Sequence, residues 1–376
     1  MNKPKKIIFF VSEDWYFCSH RIELAKAAIK LGYKVSLITR INKHREIIEA
    51  VGINIIPINI DRSKLNIFND LKLIFKLIEI YRRCKPDIIH HVAVKPVLYG
   101  SVAAILAGHK NVVNALGGLG FVFSSNNLKA KILRPFIRIA FKFLLGRKCS
   151  RLIIQNKDDL QFFSEQFGLE KSNITMIRGA GVDNTLYQVL PEPEGKTVVT
   201  LLARMLVDKG VHEFVGAAKI CKDKGLDIDF HLVGDPDPLN PASISEDVLN
   251  AWNDEGVVSW KGFESDISSV WAKSHISVLP SYREGLPKSL LESAACGRAI
   301  VTTDVPGCRE AVSNGVNGLL VPAKDVVSLA KAIEKLALNS ELRKQMALNG
   351  RRLIDEELSA EIVHKQTLNL YKEILK

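Results

Sequence analysis

The sequence predicts an α/β protein of two doubly wound parallel-sheet domains, and three observations carry that expectation. The chain is 376 residues long, more than one hydrophobic core ordinarily organises and enough for two domains of about 150–200 residues. Short β-rich apolar runs alternate with helical stretches throughout, the pattern of parallel strands covered by helices on both faces. The alternation pauses at VLPEPEGKT, which carries Pro191, Pro193 and Gly195, and then starts again.

In the first half, strands are expected at KIIFFV, YKVSLIT, NIIPI, DIIHH and VVNAL, with RLIIQ and ITMIR completing the set. Between the first two, HRIELAKAAIKLG has helical spacing and closes on Gly32, a residue suited to a helix C-terminus. After the pause, TVVTLLA, IDFHLVG, VVSWKG, ISVLP, RAIVTTD and NGLLVP read as a second strand set separated by helical stretches. The domains are therefore placed at 1–190 and 191–357, with a final helix from about Ser359 to Leu375.

Charged residues at 25% and apolar residues at 47% are ordinary for a folded domain and exclude wholesale disorder. The six cysteines form no C-x-x-C pair and are expected to be reduced, in the cytoplasm. Near the start, Lys3, Lys5 and Lys6 precede an apolar run that lasts only from Ile7 to Val11 before Glu13 and Asp14, a first strand rather than a signal peptide. No apolar run approaches the roughly 18–20 residues that span a bilayer, so membrane contact is expected to be peripheral. The net charge of +11 is unevenly divided: residues 1–190 hold 30 Lys/Arg against 14 Asp/Glu, and residues 191–376 hold 22 against 27.

Ligands of open parallel sheets sit beyond the carboxyl ends of the strands. After TVVTLLA come Arg204 and then Lys209-Gly210, opening the helix VHEFVGAAKI. Two cations at a helix start reinforce the positive end of its dipole and suit a diphosphate, although an isolated pair of this kind is more often solvated loop. After ISVLP, Glu284 precedes a Gly-Leu-Pro turn and Glu292 is expected two turns into a helix. Each carboxylate could accept a pair of sugar hydroxyls. Because Pro287 has no N–H, the backbone donors at that helix start are Leu286, Lys288 and Ser289. The plain alternative is a helix-start acid followed by an exposed one.

The segment from Glu284 to Glu292, EGLPKSLLE, resembles the E-x7-E motif of the retaining family 4 glycosyltransferases, whose GT-B fold has two Rossmann-like domains facing a cleft. LLARMLVDKG is similar to their G-R-x-x-x-x-K-G loop, DIIHH to their D-[IV]-[IV]-H strand end, IRGAGVD to N-G-V-D and NGVNGLLVP to N-G-x-x-G-x-L-V-P, in the same order. The resemblance implies that the cleft grips a nucleoside diphosphate: Arg204 and Lys209 neutralise the leaving group, Glu284 contacts the donor sugar and Glu292 the ribose. Gly285, Leu286, Lys288 and Ser289 complete the donor site. It further implies a UDP-sugar as co-substrate with no cofactor or metal, front-face transfer with retained configuration, and a last helix, about 358–376, that returns to the first domain. Departure of a nucleoside diphosphate leaves negative charge on the distal phosphate, which fixed cations stabilise.

Two departures from the family concern the acceptor side. The first strand-to-helix loop, SEDWYFCSHR, lacks the usual glycine pair, leaving Asp14, His20 and Arg21 as candidates for acceptor binding or a proton-accepting role, or as residues that merely cap and solvate the first helix. The usual histidine after VVNAL is replaced by Gly117, Gly118 and Gly120, whose loop could bring backbone close to sugar or lipid phosphate. Alternation along DIIHH sends one of His90 and His91 to the crevice and the other to the core, with His91 favoured, together with Lys95, for the acceptor side.

From Lys129 to Arg151 the chain has eight cations and no acid. Lys131, Arg134, Arg138 and Lys142 recur at helical spacing, with Leu133, Phe136, Ile137, Ala140 and Leu144 on another face, as in an interfacial helix drawn to anionic lipid headgroups. A core-packing helix with a solvated basic face is the alternative. No nucleic-acid motif accompanies the basic charge. EDWYFCSHRIELAKA and NALGGLGFVF are also similar to bacterial enzymes that build O-antigen, capsule or N-linked glycan precursors, several of which use UDP-N-acetylhexosamines. That similarity implies a polyprenyl-diphosphate-linked saccharide as acceptor, at the inner face of the cell membrane, in lipopolysaccharide or other polysaccharide biosynthesis. The competing expectations are the same fold acting on a soluble acceptor, as sucrose or glycogen synthases do, and a dinucleotide-dependent oxidoreductase. The latter lacks G-x-G-x-x-G after the first strand.

Overall fold

Each apolar run assigned above to a strand forms one in the computed structural model, which describes the backbone of residues 3–60, 67–117, 128–148 and 150–376 and the side chains of all these but 67 and 128–133. Strands β1 (Lys6–Glu13), β2 (Lys34–Arg40), β3 (Asn54–Pro57), β4 (Ile88–Val92), β5 (Val112–Ala115), β6 (Ser150–Ile154) and β7 (Ile174–Met176) make a parallel sheet in the order β3-β2-β1-β4-β5-β6-β7. A second parallel sheet contains β8 (Thr197–Leu202), β9 (Ile228–Val233), β10 (Ser259–Trp260), β11 (Ile276–Leu279), β12 (Ala299–Thr303) and β13 (Gly318–Val321), in the order β10-β9-β8-β11-β12-β13. In both, the strand order reverses beside the first strand, which creates a switch point at the carboxyl ends of the central strands.

The chain divides into two compact units, Met1–Ala180 with Val363–Lys376, and Gly181–Ile362. The Pro191–Gly195 stretch thus belongs to the second unit, because the preceding segment is already bound there. Val182 N–H donates to Leu358 O at 3.1 Å and Leu190 N–H to Cys296 O at 3.2 Å. The buried Arg298 donates to the carbonyls of Leu190 and Pro191 at 2.8 and 2.9 Å, and Arg343 grips Glu192 through two bonds of 2.7 and 2.8 Å.

In the first unit, alternate strand residues face two helical layers. Ile7, Phe9, Val113 and Ile153 pack with the helices Asp14–His20 and Ile22–Lys30 and with Val363, Leu368, Leu370 and Tyr371 of the last helix, Ala360–Ile374. Ile8, Phe10 and Ile89 pack against the helices Ile67–Cys84 and Val94–Leu106. Leu152 and Ile154 pack against the helices Leu128–Leu145 and Lys157–Phe167.

This double covering corrects the expectation for His91. With helices on both faces, alternation sends His90 and His91 into two cores, and both are buried. His91 Nδ1 lies 2.8 Å from Asn114 Oδ1, which can only accept, and its Nε2 lies 3.1 Å from the Tyr81 hydroxyl. The ring is therefore neutral, with Nδ1 protonated and Tyr81 donating to Nε2. Burial pushes His91 down to about 4; burial, with Arg21 and His91 nearby, pushes His90 well down. Unfolding returns both to about 6.5, so the unfolded chain binds more protons below that pH. This contribution to stability is whole above about pH 6.5 and is lost as pH falls towards 4, reaching about 3 kcal/mol for His91. His91→Gln is expected to flatten the fall in melting temperature between pH 7 and 4.5, measured against wild type; parallel curves would assign the fall to other groups.

Candidate active site

The four residues singled out after the strands of the second half lie where its sheet order reverses. Arg204 and Lys209 follow β8, and Glu284 follows its neighbour β11, so side chains from two loops meet at the carboxyl ends of adjacent strands. Lys209 Nζ forms an ion pair with Glu284 Oε1, which also accepts from Ser281 Oγ at 2.7 Å. Arg204 Nη1 bonds Asp237 Oδ2 at 2.6 Å, Asp237 following β9. Glycines make the close approach possible. Gly210 has φ +73, and a Cβ there would overlap the carbonyl oxygen of Pro280; Gly307, at φ +83, similarly touches the backbone of Glu284 and Gly285. Tyr282 ties the two loops together, its N–H donating to Asp208 O at 2.9 Å and its hydroxyl to Glu213 at 2.8 Å.

The helix Lys288–Ala295 starts directly after Pro287, so Glu292 lies just over one turn in, not two. It is buried rather than exposed. Its Oε1 accepts from the Tyr187 hydroxyl and from Lys288 Nζ, each at 3.1 Å. Burial raises its pKa, and Lys288 and Tyr187 only partly offset that. Gly285, Leu286, Lys288 and Ser289 occupy the turn and first helical residues between the two glutamates. Asp237, Ser281 and Tyr187 were not foreseen. The first two could have been found by extending the strand-end rule to β9 and to the whole loop after β11, whereas Tyr187 carries no signal of its pairing with a residue 105 positions away.

The acceptor-side candidates do not form one group. Asp14 is fully buried, and its carboxylate accepts from the N–H groups of Trp15, Asn42, Lys43 and His44 at 2.7–3.1 Å. Burial would raise its pKa, but these bonds outweigh burial and hold it below the usual value. Asp14 thus fastens the loop after β2 and is no free base. Arg21 is also buried, with Nη1 donating to His20 O at 3.2 Å. His20 is half-buried, stacked on Tyr16 with ring centroids 4.2 Å apart and bonded to Ser19 Oγ at 2.5 Å. Lys95, half-buried, sits in the first turn of Val94–Leu106. With both ring nitrogens of His91 occupied, His91 and Lys95 do not act as a pair. Gly118 and Gly120 lie outside the described residues.

In the helix Leu128–Leu145, among the described residues, Ile137, Phe141, Leu144 and Leu145 turn inward, while Phe136 is exposed, as are Ile139 and Phe143. Phe136 thus parts from Ile137 and Leu144, with which it was expected to share one apolar face. Arg138 donates to Gln166 O at 2.9 and 2.6 Å, so its guanidinium is pinned to the protein. Lys142 is exposed, Arg134 is half-buried, and the side chain of Lys131 is outside the described residues. Among the described residues no helix is long and apolar enough to cross a membrane.

Cations from the loop after β8 meet a carboxylate from the loop after β11 at the switch point of a doubly wound sheet, the place where such sheets bind nucleotides, and comparison with known proteins gives the class and then the family. Residues 183–353 match the family described as glycosyl transferases group 1, and residues 6–156 the family described as glycosyl transferase 4-like. The chain is 31% identical over 372 residues to the N,N'-diacetylbacillosaminyl-diphospho-undecaprenol alpha-1,3-N-acetylgalactosaminyltransferase of Campylobacter jejuni, covering 95% of each chain. It is 28% identical over 337 residues to the capsular polysaccharide biosynthesis glycosyltransferase CapM of Staphylococcus aureus, covering 86% of this chain and 85% of that one. The crystal structure of Anabaena HepE in complex with UDP and glucose shares its fold, with a TM-score of 0.78 at 19% identity over 98% of this chain and 99% of that one. The chain belongs to the family 4 glycosyltransferases of GT-B fold, and it is a hexosyltransferase.

Proposed function

We propose that the enzyme moves a sugar, an N-acetylhexosamine in particular, from UDP to a polyprenyl-diphosphate-linked saccharide, with retained configuration and without a metal, in the assembly of a cell-surface polysaccharide. The observation that carries this reading is the Lys209–Glu284 couple at the switch point, in a chain whose Campylobacter relative is named for transfer of N-acetylgalactosamine to a diphospho-undecaprenol-linked sugar. Arg204 and Lys209 take up the charge that develops on the departing diphosphate. Glu284 accepts from donor-sugar hydroxyls, and Glu292, held by Tyr187 and Lys288, accepts from the ribose. Backbone N–H groups of Leu286, Lys288 and Ser289 add donors for phosphate. As the bond from the anomeric carbon to the diphosphate breaks, the acceptor oxygen bonds that carbon from the same face and its proton passes to the departing phosphate oxygen.

On the acceptor side, Lys95, three residues after β4, and His20, at the end of the short helix that follows β1, are the residues assigned to a lipid diphosphate. Arg134 and Lys142 support peripheral attachment to an anionic inner-membrane surface. The test is mass-spectrometric product detection with a panel of UDP-sugars and polyprenyl-diphosphate saccharides. An N-acetylhexosamine-extended lipid product with the donor's anomeric configuration is expected. Transfer only to water-soluble acceptors would replace the lipid reading, and an inverted linkage would remove retention.

A further inference from the structure

We propose that the first unit inserts two apolar stripes into the headgroup region of an anionic bilayer: Phe136, Ile139 and Phe143 on the helix Leu128–Leu145, and Phe68, Leu71 and Phe75 on the helix Ile67–Cys84. The inference rests on the lipid-linked acceptor proposed above and adds the residues that enter the lipid.

Each stripe has the same three-then-four spacing, which aligns its members along one side of a helix. Five of the six side chains are between 67% and 79% exposed, and Leu71 is 48% exposed. That is unusual for phenylalanines grouped in this way, because contiguous apolar surface on a folded protein ordinarily marks a binding face. The two helices belong to one layer. Both pack against Val94–Leu106, on the side of the sheet opposite Ala360–Ile374. Each has 18 residues, about 27 Å of length to lie along a surface.

Charge identifies the occupant. Lys72 and Lys76 are exposed beside Phe68, Leu71 and Phe75, and Lys142 beside Ile139 and Phe143. Residues 128–148 contain no acid, and Glu79, the exposed acid in the middle of the other helix, is neutralised by Arg83 at 3.6 Å. Cations flanking phenylalanines match anionic headgroups above an acyl boundary. A second copy of this chain would present like charges to them.

The experiment is flotation of the whole chain with phosphatidylglycerol/phosphatidylethanolamine vesicles and with phosphatidylcholine vesicles, at 0.1 M and 1 M salt. Wild type is expected to float with the anionic vesicles and to retain part of that binding at 1 M, where charge attraction is screened but apolar insertion is not. Replacing Phe136, Ile139 and Phe143 by Ser, or Phe68 and Phe75 by Ser, is expected to weaken partitioning about tenfold or more and to abolish the salt-resistant part. The melting temperature should hold, because these side chains are exposed. Variants that float like wild type at 1 M salt overturn the proposal, as does a wild type released completely by salt. So does a dimer in sedimentation that the Ser substitutions dissociate. A wild type that extends the lipid acceptor without floating overturns the insertion alone; one that floats through these stripes but extends no lipid acceptor overturns the acceptor reading alone.

Discussion

Replacing Lys209 or Glu284 by alanine is expected to lower turnover by about 10²–10³-fold, the usual consequence of removing a group that stabilises developing transition-state charge. The two side chains form one ion pair that is mostly buried, so each single substitution also leaves an uncompensated charge among Ser281, Pro280 and the glycine loops. The melting temperature should therefore fall modestly in each single variant and recover in the Lys209→Ala/Glu284→Ala double variant, which removes both charges. Activity should not recover, because the residues act on one transition state as a unit. Initial rates with a UDP-sugar, together with melting curves, check both parts. Near-normal turnover in either single variant would remove the assignment of the site.

Gly210→Ala is expected to be nearly as damaging to turnover, for a different reason. At φ +73 any L side chain is strained, and here the added Cβ would also overlap Pro280 O and crowd its ring. Relief requires the loop after β8 to move away from β11, which separates Lys209 from Glu284. A cost of about 2–4 kcal/mol is expected, with loss of activity. Gly225→Ala supplies the control: φ is +70 but nothing lies within 4 Å of the new Cβ, so only the conformational cost of about 1–2 kcal/mol remains and activity persists. Equal effects in the two variants would mean that conformational strain, rather than the approach to Pro280, governs the site.

The fold was legible because buried parallel strands leave nearly continuous apolar runs in sequence, and TVVTLLA or RAIVTTD could be read as little else. The placement of Arg204, Lys209 and Glu284 at the switch point was legible for a related reason: they stand soon after those runs, and the spacing from Glu284 to Glu292 is a family signature. What stayed hidden depends on which way a side chain turns. The helix Leu128–Leu145 is apolar on more than one side, so its sequence could not say that Phe141 and Leu144 go inward while Phe136 and Phe143 stay out. Helices on both faces were expected, but DIIHH alone did not show that the sheet is still covered at its last two residues, so that both histidines enter a core. Asp14 looked available because the loop that consumes its carboxylate, 42–44, lies about thirty residues on.

The last helix has a consequence for how the molecule is made. Val363, Leu368, Leu370 and Tyr371 complete the core around Ile7 and Phe9, and Tyr371 bonds His90 at 2.5 Å, yet these residues leave the ribosome only after all of Gly181–Ile362. At about 5–20 residues per second, the strands of the first unit wait on the order of ten seconds or more with one apolar face uncovered, while the second unit has all its residues to hand. Contrary to the usual vectorial order, the part of the chain synthesised first is then the last to become fully native.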